Sequence, residues 1–313
     1  MNESKENNVL SKKAQSLKPS PTLALAAKAK ELQAQGKDMI SLTVGEPDWP
    51  TFKVAAEAGL LAIQNGLTKY TAANGILELR KAVAEETSRL LGIQFQAKEV
   101  VIGSGAKFLI YGTLAMLLDS EDEVLIPSPY WVSYPTMTEL AGGKPKIIDC
   151  GKSDNFKLTP QTFRKAVTKK TKVLILCSPS NPTGLMYTRK ELGALAEVLN
   201  ENPQIFILSD DIYNRLIFGD EKVAPHLLHV APQLKDRLIV INGASKSYSM
   251  TGWRLGWALG PEKLISALGD FVSQTTSNAS SIAQYAALEA LTNGEPELQE
   301  TVAKLKKKMK WCL

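Results

Sequence analysis

Histidine is scarce in this sequence, which contains only His226 and His229, both in the stretch Pro-His-Leu-Leu-His. Ser–His and Cys–His nucleophile systems depend on a histidine that serves as general base, so histidine-based nucleophilic catalysis is disfavoured. The spacing of the two histidines could place both on one helical face as metal ligands. No nearby cysteine or acidic cluster completes such a site, and we therefore predict no metal centre.

Cysteines are few, and long apolar runs are absent. Cys150, Cys177 and Cys312 show no metal-ligand spacing, and Cys177 ends an apolar run, so we expect it to be a reduced core residue. Apolar runs such as 173–177 and 205–208 have the length of strands and are too short to span a membrane. The first residues are polar and charged, unlike a secretory signal, and we expect a cytoplasmic protein.

The excess of positive charge is small. The formal net charge is +5 over 313 residues, and much of it lies near the two ends, in Lys12-Lys13 and in residues 304–310. Because no basic stripe crosses the middle of the chain, this distribution argues against a nucleic-acid-binding surface. A hydrophobic content of 44% allows a large buried core, arranged as one large domain or as a large and a small one.

Short apolar strands alternate with amphipathic helices along most of the chain. This order predicts an α/β fold with a mostly parallel central sheet and helices on both faces, over roughly residues 51–295. The sequence Thr188-x-x-Glu191 is a capping box and predicts the start of a helix. The predicted strands are 99–102, 123–126, 173–177, 205–209 and 238–242, and the predicted helices are 22–35, 106–118, 134–141, 189–200 and 297–313.

Ligands of open parallel sheets bind at the carboxyl ends of the strands, so the residues that follow each strand are the first candidates for a site. Gly-Ser-Gly-Ala-Lys (103–107) follows the first strand and opens a helix, whose free N–H groups and positive dipole end can hold a phosphate. Taken alone, this segment also fits an ordinary helix start. Phe108 occupies the place of the third glycine of a dinucleotide-binding motif, and no P-loop Gly-Lys-Ser/Thr follows.

Two other strand ends carry a carboxylate and a lysine. Asp210 follows the fourth strand, and a buried aspartate there needs a cationic partner such as a pyridinium N–H, although a solvated turn acid is the alternative. Lys246 follows Gly-Ala-Ser (243–245), where desolvation would lower its pKa and leave a free amine able to form a Schiff base. Arg254 lies in a glycine-rich segment and offers a bidentate grip on phosphate.

Seven stretches of the chain resemble, in order, the motifs of the fold-type-I, class I aminotransferases, and within them the bacterial-type aspartate aminotransferases. The resemblance runs from about Ser16 to the C-terminus. It implies pyridoxal 5′-phosphate as cofactor, a homodimer with a shared active site, and transamination between L-aspartate and 2-oxoglutarate. The stretches are Lys-Pro-Ser (18–20), Leu-Thr-Val-Gly-Glu-Pro-Asp (42–48), Thr-Lys-Tyr-Thr-Ala-Ala-Asn-Gly (68–75), Ser-Pro-Tyr-Trp-Val-Ser-Tyr-Pro (128–135), Ser-Pro-Ser-Asn-Pro-Thr-Gly (178–184), Ser-Asp-Asp-Ile-Tyr (209–213) and Ser-Lys-Ser-Tyr-Ser-Met-Thr-Gly-Trp-Arg-Leu-Gly (245–256).

The resemblance also implies a role at each matching position. Lys246 would hold the cofactor as an internal aldimine and then act as the base of a 1,3-proton shift, while Asp210 would keep the pyridine nitrogen protonated. Tyr213 and Asn181 would hydrogen-bond the phenolate oxygen, and Trp131 would stack on the ring. The other cofactor-binding positions implied are Gly105, Ala106, Lys107, Ser245 and Arg254, together with Tyr70, which would reach the phosphate of the neighbouring subunit.

For the substrate, the resemblance implies contacts with Gly45, Lys107, Trp131 and Asn181. Lys107 would meet the distal carboxylate of aspartate or glutamate, a charge match that favours dicarboxylic substrates. Lys18 and Thr22 lie in a segment that would close over the substrate, and a purely structural role explains these two residues equally well.

The match to the family is incomplete. Gly243 stands where some relatives place a phosphate-binding hydroxyl, and family members are longer, with an additional segment that carries the arginine for the substrate α-carboxylate. We therefore expect an N-terminal arm and part of a small domain in 1–50, the large cofactor-binding domain in 51–295, and the start of an interdomain helix in 296–313. The alternatives are an aminotransferase for aromatic, prephenate or alanine substrates, a carbon–sulfur lyase, or a truncated cofactor-binding protein with little catalysis.

Overall fold

The computed structural model describes residues 9–17, 19, 21–219 and 221–312. Lys18, with its implied role at the substrate, lies outside these residues, as does Leu313. Within the described ranges, seven strands form one sheet. They are β1 (Val100–Gly103), β2 (Glu123–Pro127), β3 (Lys144–Ile148), β4 (Thr171–Cys177), β5 (Phe206–Asp210), β6 (Leu238–Gly243) and β7 (Gly256–Leu259).

The strand order is β1-β7-β6-β5-β4-β2-β3. Parallel pairs join β3 to β2, β2 to β4, β4 to β5 and β5 to β6, whereas β7 runs antiparallel to both β1 and β6. The prediction of a mostly parallel sheet is confirmed. Because only β7 is reversed, the carboxyl ends of β1, β4, β5 and β6 lie along the same edge of the sheet.

The five predicted strands correspond to β1, β2, β4, β5 and β6, with ends moved by one or two residues. Two strands are not among those predicted. β3 lies at the sheet edge and reads Lys-Pro-Lys-Ile-Ile, whose proline and lysines interrupt the apolar pattern that identifies a strand. β7 has only four residues and begins at a glycine, so it is too short to stand out from its glycine-rich surroundings.

The predicted helices correspond to α2, α5, α6, α8 and α13. Among the helices that are not predicted, α12 packs on α3 and buries mainly alanines, so its sequence shows no strong stripe of large apolar residues. The helices of the described residues are α1 (Lys12–Ser16), α2 (Pro21–Ala34), α3 (Lys53–Gln64), α4 (Leu77–Leu91), α5 (Ala106–Leu117), α6 (Ser133–Leu140), α7 (Pro160–Ala166), α8 (Arg189–Glu201), α9 (Leu227–Val230), α10 (Ala244–Ser247), α11 (Glu262–Thr275), α12 (Ser281–Asn293) and α13 (Glu295–Cys312), with short 3-10 turns at Ala97–Glu99, Lys152–Asp154, Pro232–Arg237 and Thr251–Trp253.

Each face of the sheet has its own hydrophobic core. Ile207 of β5 packs on one face with Leu79 of α4 and Leu195 of α8. Its neighbour Leu208 packs on the other face, with Leu109 of α5. Burial on both faces explains why the strands are apolar throughout, and it holds their carboxyl ends in a fixed arrangement.

The predicted capping box at α8 is confirmed. The backbone N–H of Glu191 donates to Thr188 Oγ1 at 3.2 Å, and the backbone N–H of Thr188 donates to Glu191 Oε2 at 2.7 Å. Both groups of the box are therefore satisfied at the start of the helix.

Cys150 and Cys177 are free thiols. Cys177 is half-buried at the end of β4, where it packs against the core on the α5 side of the sheet. Of the helices in the described ranges, not one is both long enough and apolar enough to cross a bilayer.

Candidate active site

The register of the sheet brings the predicted strand ends together. Gly103 of β1 lies opposite Gly256 of β7, which lies opposite Gly243 of β6 on its other side. Asp210 of β5 lies opposite Cys177 of β4. Since β5 and β6 are neighbours, the helix start after β1, the lysine segment after β6 and the aspartate of β5 share one edge.

Two glycines allow the backbone to approach closely at this edge. Gly105 has a φ of +93°, and a Cβ atom there would lie 2.6 Å from Nη2 of Arg254. A Cβ atom on Gly256 would lie 2.6 Å from the backbone nitrogen of Ala106. The guanidinium group of Arg254 therefore lies directly against the turn that begins α5, and any side chain at position 105 would displace it.

Positive charge collects at the N-terminus of α5. The first N–H groups of a helix have no intrahelical acceptor, and Arg254 lies beside them. Burial lowers the pKa of the nearby Lys107, and the charge of Arg254 lowers it further. Among the ion pairs of the described residues, none involves Lys107 or Arg254. This end of the site is suited to a multiply charged anion.

Lys246 lies in α10, immediately after β6. Its Nζ donates a hydrogen bond to the carbonyl oxygen of Gly45 at 2.6 Å and lies 5.9 Å from the ring centroid of Tyr213. Burial lowers the pKa of its amine, the carboxylate of Glu46 raises it, and the guanidinium of Arg254 lowers it. Because burial has the largest effect, Lys246 holds its proton less tightly than an exposed lysine, which suits a nucleophilic amine.

Asp210 is a buried carboxylate without a cation. Its exposed fraction is 3%, the hydroxyl of Tyr134 donates to its Oδ2 at 2.5 Å, and the backbone N–H of Ile212 donates to its Oδ1 at 3.4 Å. Burial raises its pKa to about 6, although both hydrogen bonds act in the opposite direction. The burial excludes the alternative of a solvated turn acid and leaves a carboxylate for which an added cationic partner would be favourable.

Aromatic and amide groups lie around the carboxylate. The side chains of Asn181 and Tyr213 are hydrogen-bonded, and burial raises the pKa of the Tyr213 phenol to about 12. The ring of Trp131 meets that of Tyr134 edge to face with centroids 5.5 Å apart, and Nζ of Lys107 lies 4.7 Å from the Trp131 centroid. The five residues thus link the Asp210 end of the site to the cationic end.

Three other predicted site residues differ in their exposure. Ser245 is buried in α10, and Gly45 is exposed on the loop before α3. Tyr70 is 91% exposed beside residues 276–282. Among the hydrogen bonds and ring contacts of the described residues, none joins Tyr70 to the cluster around Lys246.

Sequence reasoning missed the groups that connect the loop before α3 to the lysine segment. Thr251 Oγ1 donates to the carboxylate of Glu46, and Thr51 Oγ1 donates to the carbonyl oxygen of Ser249 at 2.9 Å. The indole N–H of Trp253 donates to Thr51 Oγ1, also at 2.9 Å. These bonds hold the Gly45 carbonyl beside Lys246. Partners separated by about two hundred residues leave no local sequence signal. The hydrogen bond between Tyr134 and Asp210, which are 76 residues apart, leaves none either.

Comparison with known protein families gives a consistent result. The family model described as "Aminotransferase class I and II" matches residues 37–312, a range that includes every predicted site residue except Lys18 and Thr22. The aspartate/prephenate aminotransferase of Cereibacter sphaeroides is 50% identical over 277 residues, which cover 88% of this chain and 69% of that protein. The aspartate aminotransferase of Bacillus subtilis is 44% identical over 291 residues, which cover 93% of this chain and 74% of that protein.

Solved structures show the same likeness. The aspartate aminotransferase of Rhizobium meliloti superimposes with a TM-score of 0.91 and 37% identity, over 95% of this chain and 74% of that one. The aspartate aminotransferase of Thermus thermophilus with maleate gives a TM-score of 0.89 and 40% identity, over 95% of this chain and 76% of that one. The architecture described above is therefore that of the fold-type-I aminotransferases.

Proposed function

The chain belongs to the class I and II aminotransferases, and we propose that it transfers amino groups with pyridoxal 5′-phosphate bound at the site described above. One observation carries the proposal. The site has two cations without carboxylate partners at a helix N-terminus, a buried carboxylate without a cation, and a desolvated lysine amine. The cofactor presents a phosphate, a protonatable ring nitrogen and a carbonyl group, so each group of the site has its complement.

Individual residues take the roles that this complementarity suggests. The backbone turn at Gly105 and the N–H of Ala106, with Ser245, Lys107 and Arg254, would hold the phosphate. Asp210 would face the ring nitrogen, while Tyr213 and Asn181 would bind the phenolic oxygen. Trp131 would cover the ring.

When bound, pyridoxal 5′-phosphate supplies an electron-withdrawing ring that stabilises negative charge on the substrate's α-carbon. Lys246 would supply the nucleophilic Nζ for the carbonyl group of the cofactor, and its free amine would accept and return a proton at that nitrogen. Burial lowers the pKa of this amine, which makes the free amine that both tasks require easier to form. Asp210 holds the negative charge that keeps a proton on the ring nitrogen, and Tyr134 orients the carboxylate that does so.

The proposed substrates are L-aspartate and 2-oxoglutarate, with oxaloacetate and L-glutamate as products. Lys107 stands above Trp131 without a carboxylate partner among the described residues, and it can bind the distal carboxylate of either substrate. Gly45 lies beside Lys246 and would line the pocket for the α-carboxylate, to which Asn181 would also contribute. The Thermus relative was solved with maleate, which is also a dicarboxylate. Prephenate is the second candidate acceptor, because it carries two carboxylates and the Cereibacter relative is named for it.

The test of this function compares amino donors. Protein loaded with pyridoxal 5′-phosphate is assayed with aspartate, alanine and phenylalanine, each with 2-oxoglutarate, and with prephenate as an alternative acceptor of glutamate's amino group. We expect aspartate to be preferred. We expect Lys107→Ala to raise the KM for aspartate by about 10-fold or more, as the loss of a charged hydrogen bond predicts, while the KM for alanine changes little. Lys263→Ala, on the exposed surface of α11, is the matched control.

The possible outcomes separate the parts of the proposal. A visible band that forms with the cofactor, without amino transfer from any donor, would support a binding protein with little catalysis. Transfer that prefers alanine or phenylalanine would contradict the dicarboxylate assignment alone. Protein that binds no cofactor would contradict the proposal as a whole.

We further propose that two copies of the chain form a dimer in which Tyr70 completes the neighbouring site. Tyr70 is 91% exposed, and Leu60, Leu61 and Ile63 of α3 are each more than half exposed. Exposed apolar side chains of this kind mark a surface that another protein covers. A symmetric dimer would bury them and carry Tyr70 toward the partner.

The dimer proposal predicts complementation. Co-expressed Lys246→Ala and Tyr70→Ala chains, given different affinity tags and purified as mixed dimers, are expected to show activity well above either parent dimer. One of the two sites then combines a native Lys246 with a native Tyr70 from the other chain. If Tyr70 serves the site of its own chain, each site of the mixed dimer is defective, and because only one site keeps Lys246 the activity does not exceed that of the Tyr70→Ala dimer.

A further inference from the structure

Two consecutive aspartates are buried at the end of β5. Asp210 and Asp211 each have an exposed fraction of 3%. Successive side chains of an extended segment point to opposite faces, and these two have separate surroundings. Asp210 meets Tyr134, whereas Oδ1 of Asp211 accepts a hydrogen bond from Ser209 Oγ at 2.6 Å. Asp211 thus lies behind the site, and the proposed function assigns it no role.

A buried histidine completes the surroundings of Asp211. Nε2 of His226 lies 3.5 Å from Asp211 Oδ2 and 3.1 Å from Ser209 Oγ. Its Nδ1 accepts a hydrogen bond from the backbone N–H of Leu228 at 3.1 Å. An acceptor nitrogen carries no hydrogen, so His226 is the neutral tautomer with its hydrogen on Nε2. Because Ser209 Oγ donates to Asp211, it accepts the hydrogen of His226 Nε2, and His226 offers Asp211 no positive charge.

The neighbouring histidine is bound in the same way. Nδ1 of His229 accepts from the backbone N–H of His226 at 3.1 Å, and its Nε2 lies 3.0 Å from the carbonyl oxygen of Leu90. The carbonyl can only accept, so the hydrogen of His229 is on Nε2 and its ring is also neutral. Neither histidine compensates a negative charge on Asp211.

The arginine that lines the same cavity as Asp211 is already paired. Arg215 shares a cavity with Asp211, but its guanidinium group binds Glu86 at 2.8 Å and Glu295 at 2.6 Å. Among the described residues, no lysine or arginine forms an ion pair with Asp210 or Asp211. Two ionised carboxylates side by side in this interior would repel each other without compensation, and one of them is more stable as the acid.

We propose that Asp211 keeps its carboxyl proton in the folded protein at neutral pH, so that the pair carries a single negative charge and Asp210 holds it. The consequence for Asp210 rests on the proposed function, in which Asp210 faces the ring nitrogen of the cofactor. The protonation of Asp211 itself does not depend on the proposed function. Burial raises the pKa of Asp211 to about 8 and that of Asp210 to about 6, which places the proton on the same residue as the geometry does.

The cavity beside Asp211 provides a place for its proton to be hydrogen-bonded. The cavity has a volume of about 30 Å³ and is lined in part by Asp211, Asn214 and Ser247. Ser247 Oγ is buried, and it has no hydrogen-bond partner among the described residues. This volume has room for a water molecule with several polar neighbours. Such a water would accept a hydrogen bond from the protonated Asp211 carboxyl group and would satisfy the Ser247 hydroxyl.

Carbon-13 NMR of protein labelled at the aspartate side-chain carboxyl groups tests the proposal directly, in the absence of cofactor. Spectra of Asp211→Asn and Asp210→Asn assign the two signals. We expect the Asp211 signal at pH 7 to have the shift of a neutral acid and to move to that of a carboxylate near pH 8. A wild-type spectrum at pH 7 without any neutral carboxyl signal would overturn the proposal, whether or not the variants fold. Because no cofactor is present, this result is independent of the proposed function.

Stability as a function of pH gives a second readout. A carboxyl group whose pKa is raised by folding contributes stability that is complete below the unfolded pKa and is lost as pH rises through the folded pKa. For Asp211 that window runs from about 4 to about 8. We therefore expect the Tm of the wild type, relative to Asp211→Asn, to fall steadily across this range. A wild-type Tm that rises with pH relative to that of Asp211→Asn would mean that Asp211 is ionised in the folded protein.

Discussion

Lys246→Ala is expected to lower the rate of amino transfer by at least about 10³-fold, because general acid–base catalysis alone typically contributes about 10²–10⁴-fold and the nucleophile is lost as well. The visible band of the bound cofactor is expected to disappear or shift, since no other described lysine shares the position of Lys246 at the end of β6. Absorbance spectra and steady-state rates with aspartate and 2-oxoglutarate measure the two effects separately.

The same substitution is expected to leave the fold intact. Burial disfavours the charge of Lys246, so its removal should keep or raise the Tm of the cofactor-free protein, apart from the loss of the hydrogen bond to Gly45. Lys263→Ala serves as control, because it removes an exposed lysine of α11. An unchanged band in the Lys246 variant would show that the cofactor is attached elsewhere, and unchanged turnover would remove the lysine from the proposed chemistry.

The strands that carry the site could be predicted because they are buried on both faces. Such strands are uniformly apolar, so β4, β5 and β6 stand out, and the residues after them can be placed at one edge of the sheet. The segment from Lys246 to Arg254 is local, and its motif is recognisable without a structure. By contrast, β3 and β7 have no such pattern, because one lies at the edge with Pro145 in it and the other is very short.

The contacts that set the charge of the site could not be predicted, because they join distant segments. Tyr134 reaches Asp210 across 76 positions of sequence, and Lys246 reaches Gly45 across 201. Composition gave no reason to connect His226 with Asp211 either. In the sequence the two histidines could be considered only as metal ligands, whereas in the structure the backbone N–H of Leu228 fixes the tautomer of His226. Protonation states depend on such tertiary contacts and burial.

Asp210→Asn is expected to lower the rate of amino transfer by about 10²–10³-fold, the loss typical when one electrostatic group of an active site is removed. Asparagine has nearly the same shape and can still accept the hydrogen bond of Tyr134, so the fold and the cofactor band should remain. The amide carries no charge, however, and cannot hold a proton on the ring nitrogen. Rates, cofactor affinity and Tm are measured on the same preparation.

The pH dependence of the stability of Asp210→Asn follows from the burial of the Asp210 carboxyl group in the wild type. The pKa of Asp210 is raised to about 6 by folding, so its contribution to stability is complete below about pH 4 and lost as pH rises through 6. Relative to the wild type, Asp210→Asn should therefore gain stability between these values while losing activity. A residue that is unfavourable for the fold and necessary for the rate is expected at a catalytic site.

Asp211→Asn makes the same chemical change one residue further along, which makes the pair of variants informative. If Asp211 already holds a proton, replacing it with an amide changes no charge, and the rate should fall much less than in Asp210→Asn. Equal losses in the two variants would mean that both carboxylates act as charges, which contradicts the single-charge arrangement. A larger loss for Asp211→Asn would assign the functional charge to Asp211 and require its partner to be sought on the His226 side of the sheet. The two carboxyl groups are chemically identical and differ only in their surroundings. The comparison of the two variants therefore measures how those surroundings set the charge and the catalytic role of each carboxyl group.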